Sequence, residues 1–152
     1  METNQILSQL LGITHLEVSG SEIVGNEEIH LRVEPTLRVA ACPECGKISV
    51  QEHDRGDEQR VRDLTIAARQ CWLLYRPRRF WCADCQKTFV ERVEWRRAGR
   101  SYTTRYERSI YQRGRREPIS QIAQDEGLSE EAVQGIFEDW AKKRSRHKAT
   151  RR

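Results

Sequence analysis

The chain has few of the residues that fill a hydrophobic core. Its 152 residues include one methionine and three phenylalanines, and 37% are hydrophobic whereas 33% are charged. Small modules bury too little apolar surface to be stable alone, so a metal ion or another covalent restraint often supplies the missing stability. The composition predicts a modest core beneath a surface dense with ionised groups.

The sequence also lacks a long apolar run. No segment approaches the roughly 18 to 20 apolar residues of a membrane span. Residues 1–11 are too polar for a signal peptide and contain no basic residue. We therefore expect a cytoplasmic protein without a membrane partner. In that reducing compartment, paired cysteines bind metal more often than they form disulfides.

The signatures of an enzyme are missing from the sequence as well. It contains no nucleophile paired with a base, no glycine-rich phosphate loop and no metal-ligand set with an open position. The acidic residues are accounted for by strands, turns and helix caps. We expect neither catalysis nor a small-molecule substrate.

Four of the five cysteines occur in two pairs. Cys42 and Cys45 lie in Cys-Pro-Glu-Cys-Gly, and Cys82 and Cys85 lie in Cys-Ala-Asp-Cys. A two-residue gap lets both sulfurs of a pair reach one ion, and four thiolates form a closed tetrahedral site. The pattern predicts one structural zinc ion. A redox dithiol, a rubredoxin-type iron site and cysteines without a metal are the alternatives.

The two pairs are widely separated. Between Cys45 and Cys82 lie 36 residues, against roughly 15 to 20 in a compact zinc ribbon. We expect an inserted β-hairpin to fill this gap. The fifth cysteine, Cys71, falls within a predicted strand and is expected to be a buried apolar residue. His53 is expected to be a surface residue rather than a ligand.

Secondary-structure signals predict an α+β fold: a small β-rich, zinc-ribbon-like module followed by an all-α helix-turn-helix module. Expected strands cover residues 16–18, 29–33, 48–54, 59–64, 69–76 and 87–93, with a turn at 20–25. Expected helices cover residues 4–11, a segment from about residue 101, 119–126 and 129–144. We assign residues 1–97 to the β-rich zinc-binding module, 98–145 to the helical module and 146–152 to a basic disordered tail.

The helical part contains the pattern of a helix-turn-helix. Ala123 is small enough for two helices to approach, and Gly127 supplies the left-handed turn between them. Ser129 is a suitable N-cap for the second helix. Val133 and Ile136 would pack that helix on the first.

Positive charge is concentrated towards the C-terminus. Residues 1–41 hold two basic and six acidic side chains, residues 42–97 twelve and nine, and residues 98–152 thirteen and eight. A basic half suggests a polyanionic partner, most often nucleic acid. The predicted DNA contacts are Arg97, Arg100, Arg105, Arg108, Arg113, Arg115, Arg116, Lys142, Lys143 and Arg144 for phosphates, with Ser129 and Gln134 at the exposed start of the second helix.

Two other functions are compatible with the sequence. Glu130 and Glu131 suit the helix dipole but face phosphates unfavourably, so the acidic helix and Trp140 could instead contact a protein partner or a second copy of the chain. The aromatic residues Trp72, Tyr75 and Trp81 could stack on the bases of RNA. Steep salt dependence of binding would favour nucleic acid over an apolar protein contact.

Several short motifs follow one another in a distinctive order. They are Val33-Glu34-Pro35-Thr36, the first cysteine pair, His53-Asp54-Arg55, Arg62-Asp63-Leu64, Arg78-Arg79-Phe80-Trp81-Cys82 and Lys87-Thr88-Phe89-Val90-Glu91-Arg92, followed by the helix-turn-helix. This order resembles the N-terminal region of the ISL-three family of bacterial insertion-sequence transposases.

The resemblance implies a zinc-finger and helix-turn-helix module that recognises the terminal inverted repeats of an insertion sequence. Family members continue into a nuclease-like domain whose acidic residues bind divalent metal and cut and join DNA. The present sequence stops before such a domain. We therefore expect no strand transfer by this polypeptide alone, and interpret it as a truncated element, an excised fragment or a stand-alone regulator.

Overall fold

Strands dominate the first part of the chain and helices the last, which confirms the predicted α+β class. A computed structural model describes residues 2–151. Its elements are α1 (Thr3–Leu11), β1 (Leu16–Val24), β2 (Glu28–Pro35), β3 (Ala40–Ala41), β4 (Ile48–Ser49), β5 (Glu52–Arg55), β6 (Gln59–Ile66), β7 (Arg69–Tyr75), β8 (Arg78–Cys82), β9 (Lys87–Val90), α2 (Thr104–Gly114), α3 (Ile119–Glu126) and α4 (Glu130–Thr150). None of the helices within the described range is long and apolar enough to cross a membrane.

The main sheet has the strand order β1-β2-β7-β6. It combines two antiparallel hairpins, β1–β2 and β6–β7, which meet where β2 runs parallel to β7 with Leu31 opposite Leu73. Because side chains alternate along a strand, one face of this sheet is apolar. That face and helix α1 enclose a core of Leu11, Leu16, Val18, Ile29, Leu31, Val33, Val61, Cys71, Leu73 and Tyr75.

Both cysteine pairs lie outside the main sheet. The first pair is in the turn between β3 and β4. The second pair begins at the last residue of β8 and continues into the turn towards β9, in a three-stranded sheet ordered β5-β8-β9. The long insert between the pairs does contain a hairpin, β6–β7, as expected. We call residues 38–55 and 78–90, which hold β3–β5, β8, β9 and both cysteine turns, the cysteine region. The β6–β7 hairpin completes the main sheet, so the insert links the cysteine region to the rest of the β-rich part.

The first hairpin differs from its prediction. Residues 20–24 are not a turn, because β1 continues to Val24 and the chain reverses at Gly25 and Asn26, both with positive φ. Gly20 instead lies at a shift in the β1–β2 register, next to the side chain of Arg32. Gly20 therefore lies at a β-bulge within β1. Sequence alone cannot distinguish a glycine at a bulge from a glycine in a turn.

Helices α2, α3 and α4 enclose a second, separate core. Its buried residues are Tyr106, Ile110, Ile122, Ala123, Val133 and Ile136. The predicted disordered tail differs from the structure, because residues 146–150 continue α4; Arg152 lies outside the described residues. Residues 142–150 are all exposed, and the helix extends there without burying apolar surface.

Candidate metal centre and nucleic-acid interface

The four paired cysteines come together in one cluster. The sulfur atoms of Cys42, Cys45, Cys82 and Cys85 lie within 4.8 Å of one another. Sulfurs from different pairs approach to 3.5 Å between Cys45 and Cys82 and to 3.9 Å between Cys42 and Cys85. Cys42 and Cys82 are buried, while Cys45 is exposed. The two distant pairs therefore supply a single four-thiol site.

The two cysteine turns repeat the same local design. In each turn an acidic residue, Glu44 or Asp84, precedes the second cysteine, and a lysine follows it by two positions. Lys87 of the second turn pairs with Glu44 of the first at 2.6 Å. Lys47 of the first turn pairs with Asp84 of the second at 2.5 Å. These reciprocal ion pairs hold the two turns face to face across the sulfur cluster.

Backbone geometry presents the sulfurs. The residue after the second cysteine has a positive φ in both turns, 75° at Gly46 and 55° at Gln86. In the first turn, Cys42 donates its N–H to the carbonyl of Lys47, and Gly46 donates to the carbonyl of Cys42. In the second turn, the N–H of Cys85 points at the Cys82 sulfur at 3.5 Å.

The electrostatics of the cluster fit a bound cation. Hydrogen bonds from the backbone N–H groups of Cys45 and Glu44 lower the pKa of Cys42 to about 7. The hydrogen bond with the Cys45 sulfur, followed by burial, raises the pKa of Cys85 to about 12. A coordinating thiol is deprotonated, and four thiolates this close would repel one another. The positive charge of a divalent ion offsets that repulsion. The donor set suits tetrahedral zinc or iron, with no donor position left for substrate.

The remaining candidate ligands lie elsewhere. Cys71 is buried in β7, and burial raises the pKa of its thiol to about 12. It is the small apolar residue that the sequence predicted. His53 is exposed on β5 and does not belong to the cluster.

A buried ion pair joins the cysteine region to the main sheet. The guanidinium of Arg78, at the start of β8, donates to both carboxylate oxygens of Glu91 at 2.7 Å and to the Leu37 carbonyl at 2.9 Å. Tyr75, at the end of β7, donates its hydroxyl to the same carboxylate at 2.9 Å. The bend between β7 and β8 is therefore fixed by polar contacts.

The last three helices contain the predicted helix-turn-helix. Gly127 ends α3 in the left-handed conformation, and the N–H of Leu128 closes the turn on the carbonyl of Ala123. The hydroxyl of Ser129 accepts from the N–H of Ala132, so this serine caps α4 as expected. Ala123, Val133 and Ile136 take their expected places in the core, where they are joined by Ile122.

Strand β6 holds the helical part at its beginning. Backbone hydrogen bonds of 2.8 Å connect Arg62 to Ser101 and Thr103. The buried carboxylate of Asp63 accepts from the Thr103 hydroxyl at 2.7 Å and from the Arg105 guanidinium at 2.8 Å. Because Thr103 is also the N-cap of α2, the start of that helix is tied directly to the sheet.

A second attachment lies at the end of α3. The buried guanidinium of Arg62 donates to the carbonyl of Glu126 at 3.1 Å and to its carboxylate at 3.2 Å. Tyr106 and Arg113 donate to the same carboxylate. These buried charges were not predicted, because a sequence shows charged residues in a strand but not the distant partners that neutralise them.

Four of the predicted phosphate contacts are engaged within the protein. Arg97 and Arg100 both pair with the fully buried Glu107 and with Asp139. Arg105 pairs with Asp63. Arg113 pairs with Glu117, Asp125 and Glu126. These arginines connect elements of the fold in the free protein.

The other predicted contacts have no carboxylate partner among residues 2–151. They are Arg108, Arg115, Arg116, Lys142, Lys143 and Arg144, and all six are exposed. Arg108 and Lys143 lie over the ring of Trp140. Ser129 and Gln134 are exposed at the start of α4, where Gln134 donates to Glu138 at 2.8 Å.

The aromatic residues considered for RNA stacking are not presented together. Tyr75 is 1% exposed. The guanidinium groups of Arg60 and Arg62 lie 4.5 and 5.5 Å from the centre of the Trp72 ring. Trp81 is half-buried on β8. The three rings therefore form no exposed platform for successive bases.

Two family models match the chain. Residues 38–85 match the zinc-finger of transposase IS204/IS1001/IS1096/IS1165, and residues 91–141 match the helix-turn-helix domain of transposase family ISL3. The transposase for insertion sequence element IS1001 of Bordetella parapertussis is 34% identical over 67 residues, which are 44% of this chain and 16% of that protein. No solved structure matches the chain significantly.

The matches agree with the two structural units that the geometry defines. The first contains all four clustered cysteines, and the second contains α2, α3 and the first half of α4 with the turn at Gly127. They confirm the resemblance to the N-terminal region of these transposases. Together with the sulfur cluster, they also identify the metal as one structural zinc ion rather than iron.

Proposed function

We propose that this chain, which carries the zinc finger and the helix-turn-helix of the ISL3 transposase family, recognises the ends of an insertion-sequence element as double-stranded DNA. The observation that carries the proposal is a helix-turn-helix surrounded by exposed cations that have no carboxylate partner among residues 2–151 and fixed to a zinc-braced sheet. Neutralising phosphates with such cations releases counterions and supplies most of the affinity of many DNA-binding proteins.

Each part of the molecule has a role in this proposal. The module at 1–97 provides a zinc-stabilised support, and the module at 98–145 contacts the duplex. The exposed side chains Arg108, Arg115 and Arg116 bind phosphates, while Ser129 and Gln134 are the candidates for base contacts. The carboxylate-paired arginines have a structural role instead and hold the helices in place. They are Arg97, Arg100, Arg105 and Arg113.

Cleavage and joining of DNA are not part of the proposed activity. The closed zinc site offers no position for an activated water, and a zinc finger and a helix-turn-helix are the two family domains matched. We propose that this polypeptide binds DNA in the bacterial cytoplasm without strand transfer, either as part of a transposase or as a regulator.

A protein-interaction adaptor receives less support from the structure. Trp140, its expected contact, stacks on Tyr111 and donates its indole N–H to the buried Glu107 at 3.3 Å. Arg108 and Lys143 lie over the same ring. The tryptophan is thus engaged within the helical part and is not a free apolar anchor for a partner.

Selection of duplexes from a random DNA pool by the zinc-loaded chain tests the proposal. We expect enrichment of a defined sequence, with binding that weakens steeply as salt rises. The double variant Arg115→Gln with Arg116→Gln removes two positive charges. It should weaken binding to selected and random duplexes alike, because both residues contact phosphates. Failure to enrich any sequence, or binding unaffected by salt, would favour the adaptor.

A further inference from the structure

Helix α4 is divided into two halves of opposite charge. Its first half packs on α2 and α3 through Val133 and Ile136 and exposes Glu130, Glu131 and Glu138. Its second half and the residue that follows contain six cations and no acidic residue, namely Lys142, Lys143, Arg144, Arg146, Lys148 and Arg151. We call residues 142–151 the basic arm.

The basic arm projects from the helical core with its charges unneutralised. All of its residues are exposed. No ion pair among residues 2–151 involves any of them. Lys142 and Arg146, and likewise Arg144 and Lys148, are four residues apart, where like charges destabilise an isolated helix. An anionic partner would remove that repulsion.

The cations surround the helix rather than occupy one face. At about 100° per residue, Lys142 and Arg146 lie on one side of the arm, and Arg144 and Lys148 lie about 200° away on the other. A membrane-surface helix needs an apolar face, and the arm has none. An acidic protein surface would contact one side. The DNA major groove admits a whole α-helix and has a phosphate backbone on each side.

We infer that the basic arm lies in the major groove of DNA, with its two rows of cations directed at opposite phosphate backbones. This inference rests on the proposed function. It assigns phosphate binding to the second half of α4, whereas helix-turn-helix proteins commonly use the N-terminal residues of this helix. The exposed glutamates at the start of α4 weaken the approach of that end to phosphates.

The test compares two double variants of the full, zinc-loaded chain. They are Lys142→Gln with Arg146→Gln, and Arg144→Gln with Lys148→Gln. Glutamine preserves helix propensity, and unchanged circular dichroism and zinc content would verify the fold. Fluorescence anisotropy follows binding to a mixed-sequence DNA duplex of roughly 30 base pairs, about three helical turns, over a range of salt concentrations. A control double variant, Arg38→Gln with Arg92→Gln, removes the same charge from exposed arginines of the β-rich part.

Each arm variant should reduce the slope of log affinity against log salt by about 1.8, since two phosphate contacts are lost, while the control leaves the slope unchanged. Glu130→Gln with Glu131→Gln should strengthen binding. A duplex RNA of the same length should bind more weakly, because its narrow major groove does not admit a helix.

The possible failures are distinguishable. If the unmodified chain shows no salt-dependent binding to DNA, the proposed function itself is wrong. If it binds but only one arm variant changes the slope, the arm contacts a surface on one side and the groove assignment is overturned. The groove assignment is also overturned if the control variant reduces the salt slope as much as the arm variants do. The same holds if Gln134→Ala abolishes DNA binding while the arm variants do not.

Discussion

In the cysteine region, the fully buried large apolar side chain is Phe80, and the surrounding contacts are thiols and ion pairs. In the helical part, six buried side chains share one continuous core. The first region has too little apolar surface to compensate for the conformational entropy lost on folding. Its stability must therefore come mainly from the metal, whereas that of the helices comes mainly from burial.

The junction between the β-rich part and the helical part depends neither on metal nor on apolar burial, but on hydrogen bonds and ion pairs. Ser101 and Thr103 are bonded to the backbone of β6, and Asp63 and Arg62 bind the start of α2 and the end of α3 through charged groups. Such contacts are directional, so they fix an orientation better than an apolar contact would. They are also costly to break on one side, because the remaining buried charge then lacks a partner.

Removal of one zinc ligand should have the largest effect. We expect Cys82→Ser to lose the metal and unfold the cysteine region (residues 38–55 and 78–90), while the main sheet and α2–α4 stay folded, because only the cysteine region depends on zinc. Structural zinc contributes about 10 to 16 kcal/mol to the folding of zinc-finger peptides. Elemental analysis gives the zinc content, and hydrogen exchange reports the protection of each region.

Cys71→Ala is the matched control for that experiment. It removes a buried thiol of the main sheet, so zinc content should stay at one ion per chain. Persistent protection of residues 38–55 and 78–90 in zinc-free Cys82→Ser protein would show that the cysteine region does not need its metal.

An intermediate effect is expected at the junction. Asp63→Asn removes the charge that balances Arg105, and Thr103 and Arg105 are left to donate to a weaker acceptor. We expect a loss of about 2 to 3 kcal/mol in the free energy of unfolding, somewhat less than for a fully buried pair because Arg105 is partly exposed. Chemical denaturation measures this change, and the helical part should then unfold separately from the sheet.

The exposed ion pair between Asp54 and Arg79 provides a comparison. Asp54→Asn should cost no more than about 1 kcal/mol, because solvent screens such pairs. Equal losses at Asp54 and Asp63 would mean that burial at the junction adds nothing to its strength.

The parts of the structure that sequence predicted are those encoded over short distances. The cysteine turns, the cap at Ser129 and the left-handed Gly127 each depend on a few adjacent residues, and all are confirmed. The parallel pairing of β2 with β7 and the contact of Arg62 with Glu126 join residues far apart in the chain. Their residue types alone do not specify a partner, so neither could be predicted.

The predicted nucleic-acid contacts illustrate the same limit. An arginine has the same side chain whether it binds phosphate or a buried carboxylate, and Arg100 and Arg108 differ only in what the fold places beside them. Glu107 is fully buried and lies against Arg97 and Arg100, whereas Arg108 has no carboxylate partner among the described residues. Only the three-dimensional arrangement separates arginines that hold the fold from those available to DNA.

The smallest expected effect concerns the packing of α2 against α4. A Cβ atom added at Gly114 would lie 2.6 Å from a ring carbon of Phe137, whereas one added at Gly135 would meet nothing within 4 Å. Both glycines lie in helices, where alanine is intrinsically favoured by roughly 0.5 to 1 kcal/mol. Overpacking typically costs about 1 to 3 kcal/mol, so Gly114→Ala should destabilise the chain by about 1 kcal/mol and Gly135→Ala should stabilise it.

Thermal denaturation of the zinc-loaded variants measures both changes. Adding Phe137→Leu to Gly114→Ala should recover part of the loss, because the smaller side chain relieves the contact. Equal stabilisation by both alanines would instead mean that the Phe137 ring moves aside freely and that this contact does not restrain α2 and α4. Opposite signs would show that α2 packs closely on α4 at Gly114, whereas Gly135 lies beside open space.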